Sequence, residues 1–481
     1  MLDVSKLSTN LFIGGKWVNS ERGTPIAVFN PSTEERITTV ADASEADATR
    51  AVDAAAEAAL GWATTPARER AEILRRCFEV ITRDTDRLAE LISLENGKSL
   101  RDARSEVAYG AEFFRWFAEE AVRPFGDIGI APSGANRILV QYQPIGVSVL
   151  ITPWNFPAAM ATRKIAPALA AGCTCVLKPA TETPLTAYAI AELLAEAGVP
   201  DGTVNVITSS TTAPVVNTML ADPRVRKLSF TGSTEVGRLL LRQAANQVIH
   251  SSMELGGNAP FVVCADANLD DAIEGAMIAK MRNGGEACTA ANRFIVHESI
   301  AENFTTRLAE RMSALRIGPG NAPDTDCGPL INETTVSKVK ALVDEAVEKG
   351  ARLVCGGERL NQPGFYYTPT VISNVPPEAR IAREEIFGPV APIYTFRDEA
   401  DAIAHANDTE YGLVAYLYTS DLSRGLKLSE QLEAGMIALN RGLVSDPAAP
   451  FGGVKQSGLG REGAHHGMLE FMEAKYVATS W

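Results

Sequence analysis

The chain is 481 residues long, 46% hydrophobic and 22% charged. One hydrophobic core stops growing at roughly 250 to 300 residues, so two or more domains are expected, and the ordinary globular balance argues against a disordered chain. With 45 Lys plus Arg against 59 Asp plus Glu, the formal charge of −14 repels nucleic acid and anionic membrane surfaces, leaving room only for local basic pockets that hold small anions.

Seven cysteines without metal-ligand or secreted-scaffold spacing point to free thiols in a reducing compartment, and no metal site is expected. The N-terminus carries no signal-peptide pattern and no apolar run reaches the roughly 18 residues of a membrane span, so a cytoplasmic protein is expected.

Residues 44 to 121 alternate alanine-rich and charged patterns of helical period. The first, SEADATRAVDAAAEAALGW, opens on Ser44 as an N-cap; the second, ARERAEILRRCFEVITRDTDRLAELISLENG, closes at Gly97. Residues 122 to 144 break into short extended pieces between Pro and Gly turns and are expected to project as a hairpin.

From residue 145 strand and helix alternate. GVSVLIT, CTCVLKP, TVNVIT and RKLSFTG read as strands, while FPAAMATRKIAPALAAG, PLTAYAIAELLAEAG and STEVGRLLLRQAA read as helices. Apolar strands without polar alternation, joined by helices, predict a parallel sheet covered on both faces, a doubly wound dinucleotide-binding type of domain. In CTCVL, Cys173 and Cys175 are expected on one face of the strand. After SMELGG the alternation resumes with FVVC, DAIEGAMIAKM, RFIVHE, ENFTTRLAERMSAL, VSKVKALVDEAVEKG and ARLVCGG, and the chain ends on the strand-like EFMEAKYVATSW. A second α/β domain over 254–446 is predicted.

Several strand ends carry chemistry. GLGREG at 458–463 fits G-x-G-x-x-G but follows KQS rather than a strand, which argues against a phosphate loop. FTGSTEVG at 230–237 is better placed: Gly232 allows close backbone approach and the helix start at Ser233 favours an anion, although a simple capped turn accounts equally well for it. In TPWNFP, Asn155 is a candidate donor to an oxyanion or a plain turn residue. Lys178 and Thr181 in LKPATETP can meet ribose or phosphate, or simply be solvated. Glu254 in MELGGN is a candidate general base if desolvated. Glu385 and Phe387 in EEIFGPV pair an acid with a ring before a Gly-Pro turn. Finally, NGGEACTAANR holds a lone cysteine, Cys288, with neither a histidine nor a second cysteine beside it.

In order and spacing, TPWNFP, LKPA, FTGSTEVG, ELGG, GEAC and EEIFGPV resemble the NAD(P)-dependent aldehyde dehydrogenase superfamily, with similarity running from FIGGKWV to PFGGVKQSGLGREG. The resemblance implies that Cys288 is the nucleophile, Glu254 the general base, and Asn155 with the Cys288 N–H the oxyanion hole. It implies a cofactor site lined by Thr152, Pro153, Trp154, Lys178, Ala180, Thr181, Phe230, Gly232, Ser233, Val236, Leu255, Gly256, Glu385 and Phe387. A thiolate attacking an aldehyde, hydride transfer to a nicotinamide and hydrolysis of a thioester suit these residue types. The implied division is a cofactor-binding domain over 1–121 and 145–253, a catalytic domain over 254–446, and an oligomerisation element from 122–144 and 447–481, hence a homodimer or homotetramer.

Within the superfamily the likeness is to succinate-semialdehyde dehydrogenases, whose substrate carboxylate is held by two arginines and a serine; Arg163, Arg282 and Ser445 match. Arginine's fork suits a carboxylate, and structural ion pairing is the competing reading for each. Three departures stand out. Glu286 occupies a position where many members have glutamine. Ala290 replaces the second cysteine of some semialdehyde dehydrogenases, so no disulfide switch is expected. Thr181 stands where many NAD-preferring members carry glutamate, which leans the reading towards NADP, with NAD possible and Glu182 as a complication. The succinic or glutaric semialdehyde, or a broader range of aldehydes, is left open, and a cysteine hydrolase or acyltransferase is the alternative from another class.

Overall fold

The computed structural model describes residues 3–481. Its first sheet runs, from one edge, Lys16–Val18, Leu11–Ile13, Val204–Val206, Cys175–Lys178, Val147–Ile151, Val225–Thr231, His250–Glu254 and Gly458–Leu459. The five strands from Val204–Val206 to His250–Glu254 are parallel, and a short antiparallel piece closes each side. Alternation along Val147–Ile151 explains the two buried faces. Leu150 packs into the core formed with helices Ala67–Arg83, Leu100–Glu120, Pro157–Ala171 and Pro184–Glu196, while Val147, Val149 and Ile151 pack into that formed with Glu45–Thr64, Thr212–Ala221 and Thr234–Ala244.

The second sheet has the order Arg352–Cys355, Thr370–Ser373, Val390–Phe396, Ala291–His297, Ala259–Val263, Val414–Tyr418 and Met436–Leu439, all parallel but for its first strand. A third, antiparallel sheet joins Asp127–Ile130, Arg137–Pro144 and Met472–Thr479. Its C-terminal strand pairs in register from Met472↔Pro144 to Thr479↔Arg137, and Phe125, Ile128, Ile130 and Tyr476 are exposed around it. The mixed α/β fold is as expected, and among the described residues no helix is long and apolar enough to cross a membrane.

Local signals explain several boundaries. Ser44 caps Glu45–Thr64 in a full capping box with Asp47. Gly97 ends Thr85–Asn96 with φ +91, in a spot where a Cβ would lie 2.8 Å from the Pro329 ring.

Two expectations need correction. The charged pattern from 67 to 97 is two helices, Ala67–Arg83 and Thr85–Asn96, broken at Asp84. The Asp84 carboxylate accepts from Arg83 Nε at 2.7 Å and Arg87 Nε at 2.9 Å and caps no backbone N–H. Cys173 precedes the strand, which begins at Cys175, although both side chains pack into the same core and the Cys173 thiol meets Phe471 O. Helix Thr212–Ala221 is an element beyond those expected. Strand Arg352–Cys355 runs antiparallel at the edge of the second sheet.

Candidate active site

A cleft enclosing about 820 Å³ opens at the carboxyl ends of Val147–Ile151, Val225–Thr231 and His250–Glu254. Strand order reverses at Val147–Ile151, the switch point where open α/β sheets bind ligands. The cleft is lined by Pro153, Trp154 and Asn155 from the first strand end, Gly232 and Ser233 from the second, and Leu255 and Gly256 from the third. Across it stand Cys288, Lys338, Glu385 and Phe387.

Cys288 arrives on a tight turn just before strand Ala291–His297. Asn283, Gly284 and Gly285 all have left-handed φ there, and a Cβ on Gly285 would lie 2.2 Å from Gly388 O, so only glycine fits. The thiol is partly exposed. Burial pushes it up to about 12; Arg163 and Arg282 pull it down, while Glu385 and Glu254 push it further up. Cofactor-free, this is a protonated nucleophile that its surroundings must activate.

Glu254 ends strand His250–Glu254, and both of its carboxylate oxygens are buried without a hydrogen-bond partner among the described residues. Burial first, then the charge of Glu462, raises its pKa well above the ordinary value, against Arg163, Lys164 and Arg461. Such a group can take a proton near neutral pH. Asn155 is fixed at both ends. Its Nδ2 donates to Glu286 O at 3.1 Å, and its main-chain oxygen accepts from Lys98 Nζ at 2.6 Å and Asn283 Nδ2 at 2.9 Å. One amide hydrogen is left for a ligand.

The two arginines differ. Arg163, inside helix Pro157–Ala171, is buried with Nε 2.5 Å from Glu462 Oε2, and its guanidinium lies 4.1 Å from the Phe451 ring centroid. Arg282 makes no ion pair among the described residues; its Nη1 lies 3.4 Å from Ser445 Oγ, and its guanidinium covers Phe156 at 4.8 Å. Both act on Cys288 and on Tyr109, whose buried hydroxyl has no hydrogen-bond partner among the described residues.

Of the residues expected at a cofactor, Pro153, Trp154, Gly232, Ser233, Leu255, Gly256, Glu385 and Phe387 line the cleft. The Trp154 and Phe387 rings meet edge to face at 5.4 Å. Glu385 accepts from Gly257 N at 3.0 Å, and burial raises it to about 7. Ser233 caps helix Thr234–Ala244. Thr152 and Phe230 are buried and Val236 is exposed, and none of the three lines the cleft. Lys178 is buried, donates to Pro179 O at 3.0 Å, and is pulled down to about 8 by burial against the charges of Glu182 and Asp42. Ala180 precedes Thr181, which lines a separate recess with Glu182.

Sequence reasoning missed the supports. Lys98 Nζ reaches Glu106 Oε2 at 2.5 Å as well as Asn155 O, and Glu106 Oε1 accepts from Ala158 N at 2.8 Å and Ala159 N at 3.2 Å, capping helix Pro157–Ala171. Glu462, within GLGREG, pairs Lys164 Nζ at 2.5 Å besides Arg163. A signal for it existed: the two cations in the apolar helix ATRKIAPALAA demand a buried counter-charge. Glu286 Oε1 accepts from Ile331 N at 3.1 Å, and burial raises its carboxyl to about 8, so at neutral pH it is largely the uncharged counterpart of a glutamine. No histidine lines the cleft.

A family model described as the aldehyde dehydrogenase family matches residues 17–477. A succinate-semialdehyde dehydrogenase of Paenarthrobacter nicotinovorans is 55% identical over 444 residues, 92% of this chain and 99% of that protein. A glutarate-semialdehyde dehydrogenase of Pseudomonas putida is 46% identical over 478 residues, 99% of each. The crystal structure of an NADP-dependent enzyme of E. coli superposes with a TM-score of 0.98 at 47% identity, covering 100% of this chain and 99% of that one.

Proposed function

The chain belongs to the aldehyde dehydrogenase family, and from that premise we propose that it oxidises a short aldehyde with a carboxylate at its far end, succinic semialdehyde first, to the acid. The observation that carries the substrate reading is Arg282, which has no ion pair among the described residues, meets Ser445 Oγ at 3.4 Å and acts on the Cys288 thiol. A cation kept free beside the nucleophile of a chain of charge −14 suits an anionic substrate.

The cleft fits a nicotinamide dinucleotide. A Cβ on Gly256 would lie 2.9 Å from Glu385 Oε2, so backbone forms the wall there, and the N-terminus of Thr234–Ala244 opens beside Ser233. Trp154, Gly232, Ser233, Leu255, Glu385 and Phe387 would hold the cofactor, which supplies the hydride acceptor when bound.

The chain's own residues do the rest. Once its thiol proton has passed to solvent, Cys288 Sγ bonds as the thiolate to the aldehyde carbon, and the carbonyl π pair becomes an oxyanion received by Asn155 Nδ2 and the Cys288 N–H. Once the carbon is at the thioester level, Glu254 takes a proton from water; the resulting oxygen attacks the thioester and the Cys288 thiolate leaves. A hydrolase with the same thiol lacks its usual base, because no histidine lines the cleft. Thr181, being neutral, leaves the cofactor site open to NADP as well as NAD. We also read the exposed apolar residues around the Asp127–Ile130, Arg137–Pro144 and Met472–Thr479 sheet as the surface of a homodimer or homotetramer, working in a reducing cytoplasm that suits seven free cysteines.

The test is a kinetic panel of succinic semialdehyde, glutaric semialdehyde and butanal on the native protein and Arg282→Ala. Glutaric semialdehyde stays a second reading, because one methylene is worth only about 1 to 3 kcal/mol and a glutarate-semialdehyde dehydrogenase is 46% identical. Loss of a charge-assisted contact should raise KM for the two semialdehydes about 10- to 100-fold, with KM for butanal nearly unchanged. An equal effect on all three refutes the carboxylate role.

A further inference from the structure

The parallel strands of the first sheet follow the mononucleotide-binding order, with Val147–Ile151 first, Cys175–Lys178 second and Val204–Val206 third on one side, and Val225–Thr231 and His250–Glu254 on the other. In folds of this order an acid beyond the second strand accepts from the ribose 2′-hydroxyl of NAD, and a cation in that neighbourhood accommodates the 2′-phosphate of NADP. Here the second strand ends at Lys178 and runs through Pro179, Ala180 and Thr181 to Glu182.

Three observations bear on that position. Thr181 and Glu182 line a recess of about 1080 Å³ together with Glu34, Glu95 and Ser210, and the recess wall contains no lysine or arginine. Glu34 and Glu95 already serve the backbone, accepting from Gly364 N and from Leu185 N and Thr186 N respectively. Glu182 accepts only from Thr181 Oγ1, at 3.2 Å, among the described residues, so most of its acceptor capacity is unused. Of the cations nearby, Lys178 is buried and turned to Pro179 O, with the carboxylates of Glu182 and Asp42 acting on it, and Arg22 is taken up by Asp42 at 3.5 Å and by Thr211 Oγ1 at 2.5 Å.

We infer that Glu182, through its carboxylate beside the Thr181 hydroxyl, makes this protein favour NAD over NADP. A carboxylate there accepts from a ribose hydroxyl and repels a phosphate on the same carbon. This rests on the dinucleotide reading proposed above, and it reverses the lean towards NADP that Thr181 alone suggests. The discriminating acid of the more usual pattern is moved by one residue, with threonine at the first place and the charge at the second.

The test measures binding of NAD and of NADP, without aldehyde, to the full-length protein by titration calorimetry. Native protein should bind NAD about tenfold or more tightly than NADP. Glu182→Gln keeps the shape and removes the charge; it should tighten NADP about tenfold while changing NAD by no more than about threefold. Glu182→Lys should reverse the order. Raising the salt concentration should narrow the native preference, since the effect is a charge repulsion at a partly exposed site. A native protein that binds NADP as tightly as NAD, or a glutamine variant with an unchanged ratio, overturns the assignment. If neither nucleotide binds the folded native protein, the dinucleotide reading itself falls and takes the assignment with it.

Discussion

Replacing Glu462 by glutamine tests how the buried charges next to the nucleophile are held. The carboxylate is 6% exposed, with its oxygens 2.5 Å from Arg163 Nε and 2.5 Å from Lys164 Nζ, and these cations are themselves 2% and 1% exposed. Lys164 has Ser229 Oγ at 3.0 Å as a further partner, whereas Nη2 of Arg163 has none. Neutralising Glu462 leaves two adjacent buried cations without their counter-ion. Breaking a buried pair costs about 3 to 5 kcal/mol, and because the amide oxygen still accepts one bond, the lower end, ~3 kcal/mol, is expected.

The same change acts on the base. Burial and then the charge of Glu462 raise the Glu254 carboxyl well above its ordinary value, while Arg163, Lys164 and Arg461 oppose them. Without the Glu462 charge only burial opposes the three cations, and the pKa of Glu254 falls. A carboxyl whose folded pKa is raised contributes stability below its unfolded value and loses it as pH rises through the folded value. The native protein should therefore lose this contribution on the alkaline side of the ordinary carboxylate range, and the variant should lose less. Urea unfolding across pH and the kcat–pH profile read both effects: lower stability, together with an acid limb displaced to lower pH. A variant within about 1 kcal/mol of native, with its acid limb unmoved, would refute this account of the cluster.

Burial raises the Cys288 thiol to about 12, so alkylation of the cofactor-free protein by iodoacetamide, followed on the Cys288 peptide by mass spectrometry, should climb about tenfold per pH unit between roughly pH 7 and 9. A plateau near neutral pH would show a thiolate already formed and contradict the burial argument. For Glu254→Gln, the first turnover should release about one equivalent of reduced nicotinamide per site and then slow by a factor of about 10² to 10⁴. An unchanged steady-state rate in stopped-flow absorbance would remove Glu254 from the role of base.

Much of the fold was readable because its signals are local. Apolar strands near 147–151, 175–178 and 225–231 announce themselves by composition, and Ser44 and Gly97 mark helix ends by their own backbone preferences. Cys288, Asn155 and Glu254 stand out for a related reason: each needs small or turn-forming neighbours, and those neighbours are adjacent in sequence. The break at Asp84 was hidden because the helical period of the sequence runs across it without a Gly or Pro to mark it.

What only the tertiary structure decided is which distant groups share one low-dielectric space. Lys98 supports Asn155 from 57 residues away, and Glu462 reaches Lys164 across 298. GLGREG, which resembles a phosphate loop by its letters, begins as the edge strand Gly458–Leu459 against Glu254 and carries that counter-ion three residues further on. Composition names the charges of a chain, but the cost of a buried charge depends on what stands opposite it, and that is set when the sheets pack.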